Sequence, residues 1–124
     1  KNDNELVSDL GWELYAEAIF HCLQDLRKYG KPVYITENGL ADREDKYRPW
    51  FINESLKNVY KAIQLGVDVR GYFYWSMLDN FEWAAGWDPK FGLYSVDRKT
   101  FKRTPRSSAK LYSEICKNNE VIAE

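Results

Sequence analysis

Histidine and cysteine are scarce in this chain: His21, Cys22 and Cys116 are the whole complement in 124 residues. One His and two scattered Cys cannot build a zinc site, and no metal or other cofactor is expected. The cysteines form no CxxC pair and read as free thiols of a reducing compartment, which points to the cytoplasm. His21 falls in mid-helix among packing residues, so there is no Ser-His-Asp or Cys-His pair. Excess charge is missing too. Lys plus Arg number 18 against 19 Asp plus Glu, a net charge of −1. That balance excludes the basic stripe of a nucleic-acid binder and a polybasic membrane anchor. No window approaches ~18 consecutive apolar residues, the length a membrane span needs. The N-terminal run Lys1-Asn2-Asp3-Asn4-Glu5 has no apolar core like that of a signal peptide. Repeats, low-complexity tracts and Pro/Gly/Ser linkers are absent, and the length allows one domain, residues 1–124. Aromatic residues, in contrast, are plentiful: five Trp, nine Tyr and six Phe. That excess needs a cause.

Helix and strand signals alternate along the chain. Tyr15, Ile19, Cys22, Leu23 and Leu26 recur on one helical face, with Gly30 as a stop. Val33-Tyr34-Ile35-Thr36 reads as a strand ending at Glu37, with Asn38-Gly39 as the turn. Pro49 suits the first position of a second helix that buries Ile52, Leu56, Val59, Tyr60 and Ile63 and stops at Gly66. Residues 69–75 form a second strand, followed by an aromatic loop over 76–89. A hairpin is expected from 91–96 and 100–103, turning at Asp97-Arg98-Lys99. Thr104 then caps, and Pro105 opens, a third helix facing Ser108, Leu111, Tyr112 and Ile115 inward. Such alternation implies right-handed βαβ units and a parallel sheet covered on both faces. Two parallel strands and three helices cannot close that sheet, so further polypeptide is implied.

In parallel α/β folds, active groups gather at the C-terminal ends of strands. Thr36-Glu37-Asn38-Gly39 ends the first strand. Strand alternation puts Val33, Ile35 and Glu37 on one face, two apolar residues followed by a carboxylate at the rim. The bland alternative is a Glu paired with Arg48 or Arg70 to tidy the strand end. On the second strand Gly71, Phe73 and Trp75 share a face, and Gly71 frees space near the axis. The loop beyond carries Asp79, Asn80, Glu82, Trp83 and Trp87. Sugars present many hydroxyls and an apolar C–H face, so acidic and amide groups beside indole rings suit them, and this accounts for the aromatic excess. An aromatic-rich core loop is the competing explanation.

Thr36-Glu37-Asn38-Gly39 preceded by Val33-Tyr34-Ile35 resembles the nucleophile motif of glycoside hydrolase family 1. Trp75 to Trp83 resembles that family's sugar-binding loop. Gly11-Trp12-Glu13-Leu14-Tyr15 and Phe91-Gly92-Leu93-Tyr94-Ser95-Val96-Asp97 match in order as well, and the flavour is nearest the archaeal β-glycosidase branch. The resemblance implies an α/β fold: the C-terminal part of a (β/α)8 TIM barrel, comprising its last two strands and last three helices. It implies retaining exo-hydrolysis of terminal, non-phosphorylated β-D-glycosides of glucoside or galactoside type, with Glu37 as catalytic nucleophile. Glu82 would bind the outer hydroxyls of the sugar, Trp83 would donate its indole N–H, Trp75 would form the stacking floor and Phe91 would line the pocket. The family's acid/base Glu lies in an Asn-Glu-Pro motif that this chain lacks. The expected partners are therefore a β-glycoside substrate and the N-terminal barrel portion, as a second chain or a missing segment. Assembly with copies of itself is a further possibility. Ala16 and Ala18 replace a usual Pro and Gly, Ser55 a His, and Lys90 an Arg beneath the sugar pocket. A non-catalytic sugar-binding module or a barrel-fragment assembly module is the alternative.

Overall fold

The computed structural model describes residues 4–121, so Lys1, Asn2 and Asp3 of the polar N-terminal run lie outside the described residues. The elements are α1 (Ala18–Leu26), β1 (Val33–Asn38), α2 (Arg48–Gln64), β2 (Val69–Tyr74), β3 (Tyr94–Val96), β4 (Arg103–Pro105) and α3 (Ser107–Asn118). β1 and β2 pair in parallel across the α2 crossover, while β3 and β4 form an antiparallel hairpin. Alternation and parallel pairing thus stand as the sequence implies. No helix among the described residues is long and apolar enough to cross a membrane.

The helical faces differ from those expected. α1 starts at Ala18 and leaves Tyr15 outside it. Ile19, Phe20 and Leu23 form its packing face, against Val59, Ala62 and Val67, whereas Cys22 and Leu26 are exposed. A nine-residue helix touches its neighbour along one narrow stripe, and the wider apolar pattern overruns it. His21, expected among packing residues, is exposed as well. On α2, Tyr60 and Ile63 are exposed instead of buried. The buried stripe is Phe51, Ile52, Ser55, Val59 and Ala62, headed by Arg48. Small side chains at Ser55 and Ala62 let the helix lie close to its neighbours. Tyr60 and Ile63 are left to line, with Leu56, Tyr72, Tyr112 and Ile115, a groove of about 440 Å³ between α2 and α3.

Thr104 and Pro105 belong to β4 and do not open α3, whose N-cap is Arg106. Proline is tolerated there because a two-stranded ribbon is all edge. The strands are also shorter than expected, and the turn runs from 97 to 102, where Asp97 Oδ1 accepts the N–H groups of Lys99 and Thr100 at 2.8 and 2.9 Å. The oxygen that meets the head of α3 comes from far away in sequence. Asp45 Oδ2 accepts the Ser108 N–H at 2.8 Å, and the hydroxyls of Ser107 and Ser108 both donate to the same carboxylate at 2.6 Å.

Helices cover one face of the β1–β2 sheet, where Val33, Ile35, Val69 and Tyr72 pack. Its other face is bare. Tyr34 is 56% exposed and Phe73 59% exposed. Gly71 lies on this open face under the Tyr34 ring, where a Cβ would meet the ring at 2.7 Å.

Candidate active site

The end of β1 breaks strand alternation. Between Ile35 and Asn38 the chain advances three residues while β2 advances two, from Tyr72 to Tyr74, so β1 carries one extra residue. Asn38 is thereby turned to the helix side, where its Oδ1 accepts the Tyr72 hydroxyl at 2.7 Å. Glu37 points the opposite way, to the open face. The expectation that Glu37 shares a face with Val33 and Ile35 is therefore corrected: those two pack on the helices and Glu37 does not. Immediately afterwards Gly39 passes so close to β2 that a Cβ would fall 1.7 Å from the Trp75 carbonyl oxygen. Only glycine fits, and this contact sets the ends of the two strands side by side. The Trp75–Ser76 peptide is cis.

A cavity of about 380 Å³ opens at these strand ends, lined by Trp12, Glu37, Gly39, Trp75, Glu82, Trp83 and Phe91. All five residues singled out in the sequence, Glu37, Trp75, Glu82, Trp83 and Phe91, meet in it. Neither arginine offered as a partner reaches Glu37. Arg70 is bound to Asp68 at 2.8 Å. Arg48 is wholly buried and donates to Asp45, to the Tyr74 hydroxyl at 3.0 Å, to the Lys90 carbonyl at 2.7 Å and to the Asp42 carbonyl. Burial pushes the Tyr74 phenol up to about 12, so it stays a protonated anchor at neutral pH.

Glu82 and Trp83 sit on a tight turn over Trp83–Ala85, closed by Glu82 N–H to Gly86 carbonyl at 2.7 Å and Gly86 N–H to Trp83 carbonyl at 3.0 Å. Trp83 has φ of 45°, a left-handed conformation unusual for a bulky residue and of the kind found at functional sites. The residue is 81% exposed. Among the described residues, Glu82 Oε2 is buried with no hydrogen-bond partner, as is Asn80 Oδ1. A buried carboxylate oxygen without a donor is costly, and hydroxyl donors of a ligand would satisfy it.

Other loop residues do different work. Asp79 is held by Arg106 in an ion pair at 3.0 Å and by the Gly92 N–H at 3.0 Å, away from the cavity. Trp87 meets Phe81 edge to face at 5.2 Å between centroids and carries the Arg98 guanidinium over its ring. Lys90 supplies the carbonyl that ties Arg48 and Asp42 together, while its ammonium turns to the Trp87 carbonyl. Trp12 is the wall residue that the site reading missed. It packs on Phe91 at 6.1 Å, and its place in the Gly11-Trp12-Glu13 match was the available signal.

The family model for glycosyl hydrolase family 1 matches residues 1–121. This chain belongs to that family. A β-galactosidase of Pyrococcus woesei is 48% identical over 120 residues, covering 96% of this chain and 24% of that protein. Among solved structures, a β-glycosidase from Pyrococcus horikoshii superposes with a TM-score of 0.94 at 46% identity, covering 99% of this chain and 29% of the other. A β-glucosidase from Thermotoga maritima in complex with glucoimidazole gives a TM-score of 0.92 at 37% identity, covering 98% and 30%. The resemblance to the archaeal branch is thus upheld, and the α/β arrangement is that of part of a family 1 enzyme. The chain spans about a quarter of the length of the curated relatives it matches. The bare face of the β1–β2 sheet fits that partial span.

Proposed function

We propose that this chain is the C-terminal part of a family 1 (β/α)8 barrel and carries the nucleophile of a retaining exo-β-glycosidase. The observation that carries the reading is the meeting of Glu37 with Trp75, Glu82, Trp83 and Phe91 in one cavity at the strand ends, with Glu37 free of either candidate arginine. Glu37 attacks the anomeric carbon, expels the leaving-group oxygen and forms a glycosyl-enzyme that water then hydrolyses. Retention needs a second carboxyl group roughly 5–5.5 Å from the first, to protonate the leaving group and later activate water. In this reading it comes from the rest of the barrel. Glu82 accepts sugar hydroxyls, Trp75 stacks against the C–H face, Phe91 lines the pocket, and Trp83 offers its N–H. The substrate is a neutral terminal β-glucoside or β-galactoside. The exposed free thiols of Cys22 and Cys116 suit a cytoplasmic enzyme.

In the assembled barrel, Glu37→Gly should cut hydrolysis of an aryl β-glucoside by about 10³-fold or more. Added azide or formate should restore part of it and give product of inverted configuration. Turnover at the wild-type rate in that variant would sink the assignment and leave a non-catalytic sugar-binding module as the better description.

A further inference from the structure

The cavity lining draws on separate segments, among them Phe91 and the Glu82–Trp83 turn. Behind them, outside the cavity, the segments are locked together. Asp79 Oδ1 accepts the Gly92 N–H at 3.0 Å, next to Phe91. Arg106 grips both oxygens of Asp79, through Nη1 and Nη2 at 3.0 Å each. The same Nη1 donates to the Gly92 carbonyl at 2.6 Å, and the Arg106 N–H donates to the Leu93 carbonyl at 2.9 Å. Both peptide groups flanking Gly92 are thus held by one ion pair, which is itself largely shielded, with side-chain exposures of 12% and 8%. Backbone hydrogen bonds also join the segments, from the Ser76 N–H to the Phe91 carbonyl at 3.2 Å and from the Leu93 N–H to the Ser76 carbonyl at 2.8 Å, and at Gly92 the two chains pass in close contact. A Cβ there would lie 2.3 Å from the Asp79 nitrogen and 2.5 Å from the Tyr94 carbonyl oxygen.

We propose that Asp79 and Arg106 are positioning residues that set the width of the sugar pocket by clamping the chain at Gly92. The proposal rests on the glycosidase reading of that pocket. Neither residue lines the cavity, so they act through Phe91 and through the turn that begins four residues after Asp79. A planar guanidinium can hold a carboxylate and a carbonyl at once in a fixed fork, which an ammonium cannot. Loosening the clamp moves the walls that grip the glycone while leaving the Glu37 strand end, fixed by Gly39 and Tyr72, in place.

The test uses the assembled barrel with 4-nitrophenyl β-D-glucoside for kcat and KM, and isofagomine binding by tryptophan fluorescence. Arg106→Met should raise KM and the isofagomine Kd about ten-fold, with kcat falling less than about three-fold. Arg106→Lys should recover part of the loss. The double variant Asp79→Asn/Arg106→Met should be no worse than Arg106→Met, because the two act as one clamp. Should Arg106→Met fail to fold by circular dichroism, Arg106→Lys and Asp79→Asn carry the test, each with KM raised about three-fold or more. KM and Kd unchanged in folded variants, or a loss in kcat alone, would overturn the proposal. If the wild type binds isofagomine but does not hydrolyse the glucoside, the catalytic reading fails, and a weakened Kd in Arg106→Met still upholds the clamp. A wild type that neither hydrolyses nor binds defeats both.

Discussion

Glu82 and Asp79 lie three residues apart on the same loop, yet one has a buried oxygen without a donor and the other is saturated by Arg106 and the Gly92 N–H. In the proposed function, the contrast is the reason Glu82 and not Asp79 is given to the sugar. A carboxylate waiting for hydroxyl donors rejects a sugar phosphorylated at O6, because like charges in a partly dehydrated pocket repel by several kcal/mol. The assembled enzyme should therefore cleave aryl β-glucosides or β-galactosides far faster than their 6-phosphates. Glu82→Ser should narrow that gap to within about ten-fold, chiefly by weakening use of the neutral sugar. Parallel kcat/KM measurements on the two substrates check it, and equal rates before and after substitution would remove Glu82 from the sugar. Residue type alone offers both acids, and in the sequence only the family resemblance singles out Glu82. What separates them is Arg106, which arrives from the head of α3 and is invisible to any local pattern.

At the scale of elements, the hits and misses follow the range of the forces involved. Gly30 as a helix stop and the β1–β2 pairing were legible, because local turn chemistry and hydrophobic runs determine them. The extra residue in β1 was not, because register is fixed by the facing strand. The start of α3 was misplaced for the same reason. Its capping oxygen belongs to Asp45, 63 residues before Ser108. Burial pushes the Asp45 carboxyl up, but hydrogen bonds from Ser107 and Ser108 and the Arg48 charge outweigh it, and the pKa ends below its usual 3.8. A carboxylate with a depressed folded pKa stabilises fully above the unfolded value, and that share is lost as pH falls through the folded one. Stability should thus drop as pH falls below about 4. Asp45→Asn keeps the shape and tolerates the left-handed φ of 56° at this position. It should cost roughly 1–3 kcal/mol at neutral pH, the worth of charge-assisted hydrogen bonds. The deficit should shrink as pH approaches 3, measured by urea unfolding of variant and wild type across that range. A deficit independent of pH would show that the charge of Asp45 contributes nothing.

For the molecule as a whole, the helices cover one side of a two-stranded sheet, and among the described residues nothing covers the other. Tyr34 and Phe73 sit on that bare side, and the cavity with its exposed Trp83 opens at its end. Burying each such ring is worth about 1.5–3 kcal/mol, so in the proposed assembly this face would accept the rest of the barrel. The same count of strands and helices is what implies further polypeptide from the sequence, since a parallel sheet needs cover on both faces. Catalysis should follow the same logic. The 124 residues carry Glu37 but, in the proposed mechanism, neither the acid/base carboxyl nor the missing wall of the glycone pocket. An activated aryl glycoside needs little protonation of its leaving group, so the missing acid alone would leave some turnover. An unclosed pocket removes that as well, because the sugar is not held in line for attack. The isolated chain should therefore show turnover at least about 10³-fold below the assembled barrel on 2,4-dinitrophenyl β-glucoside, and should bind a hydrophobic dye such as ANS. Adding a polypeptide that comprises the remaining strands of a family 1 barrel should quench the dye signal and raise turnover together. Rapid hydrolysis by the pure 124-residue chain would mean that both carboxyl groups lie within it, with Glu82 the first to be tested as the acid, and the division of labour between this chain and the rest of the barrel would have to be abandoned.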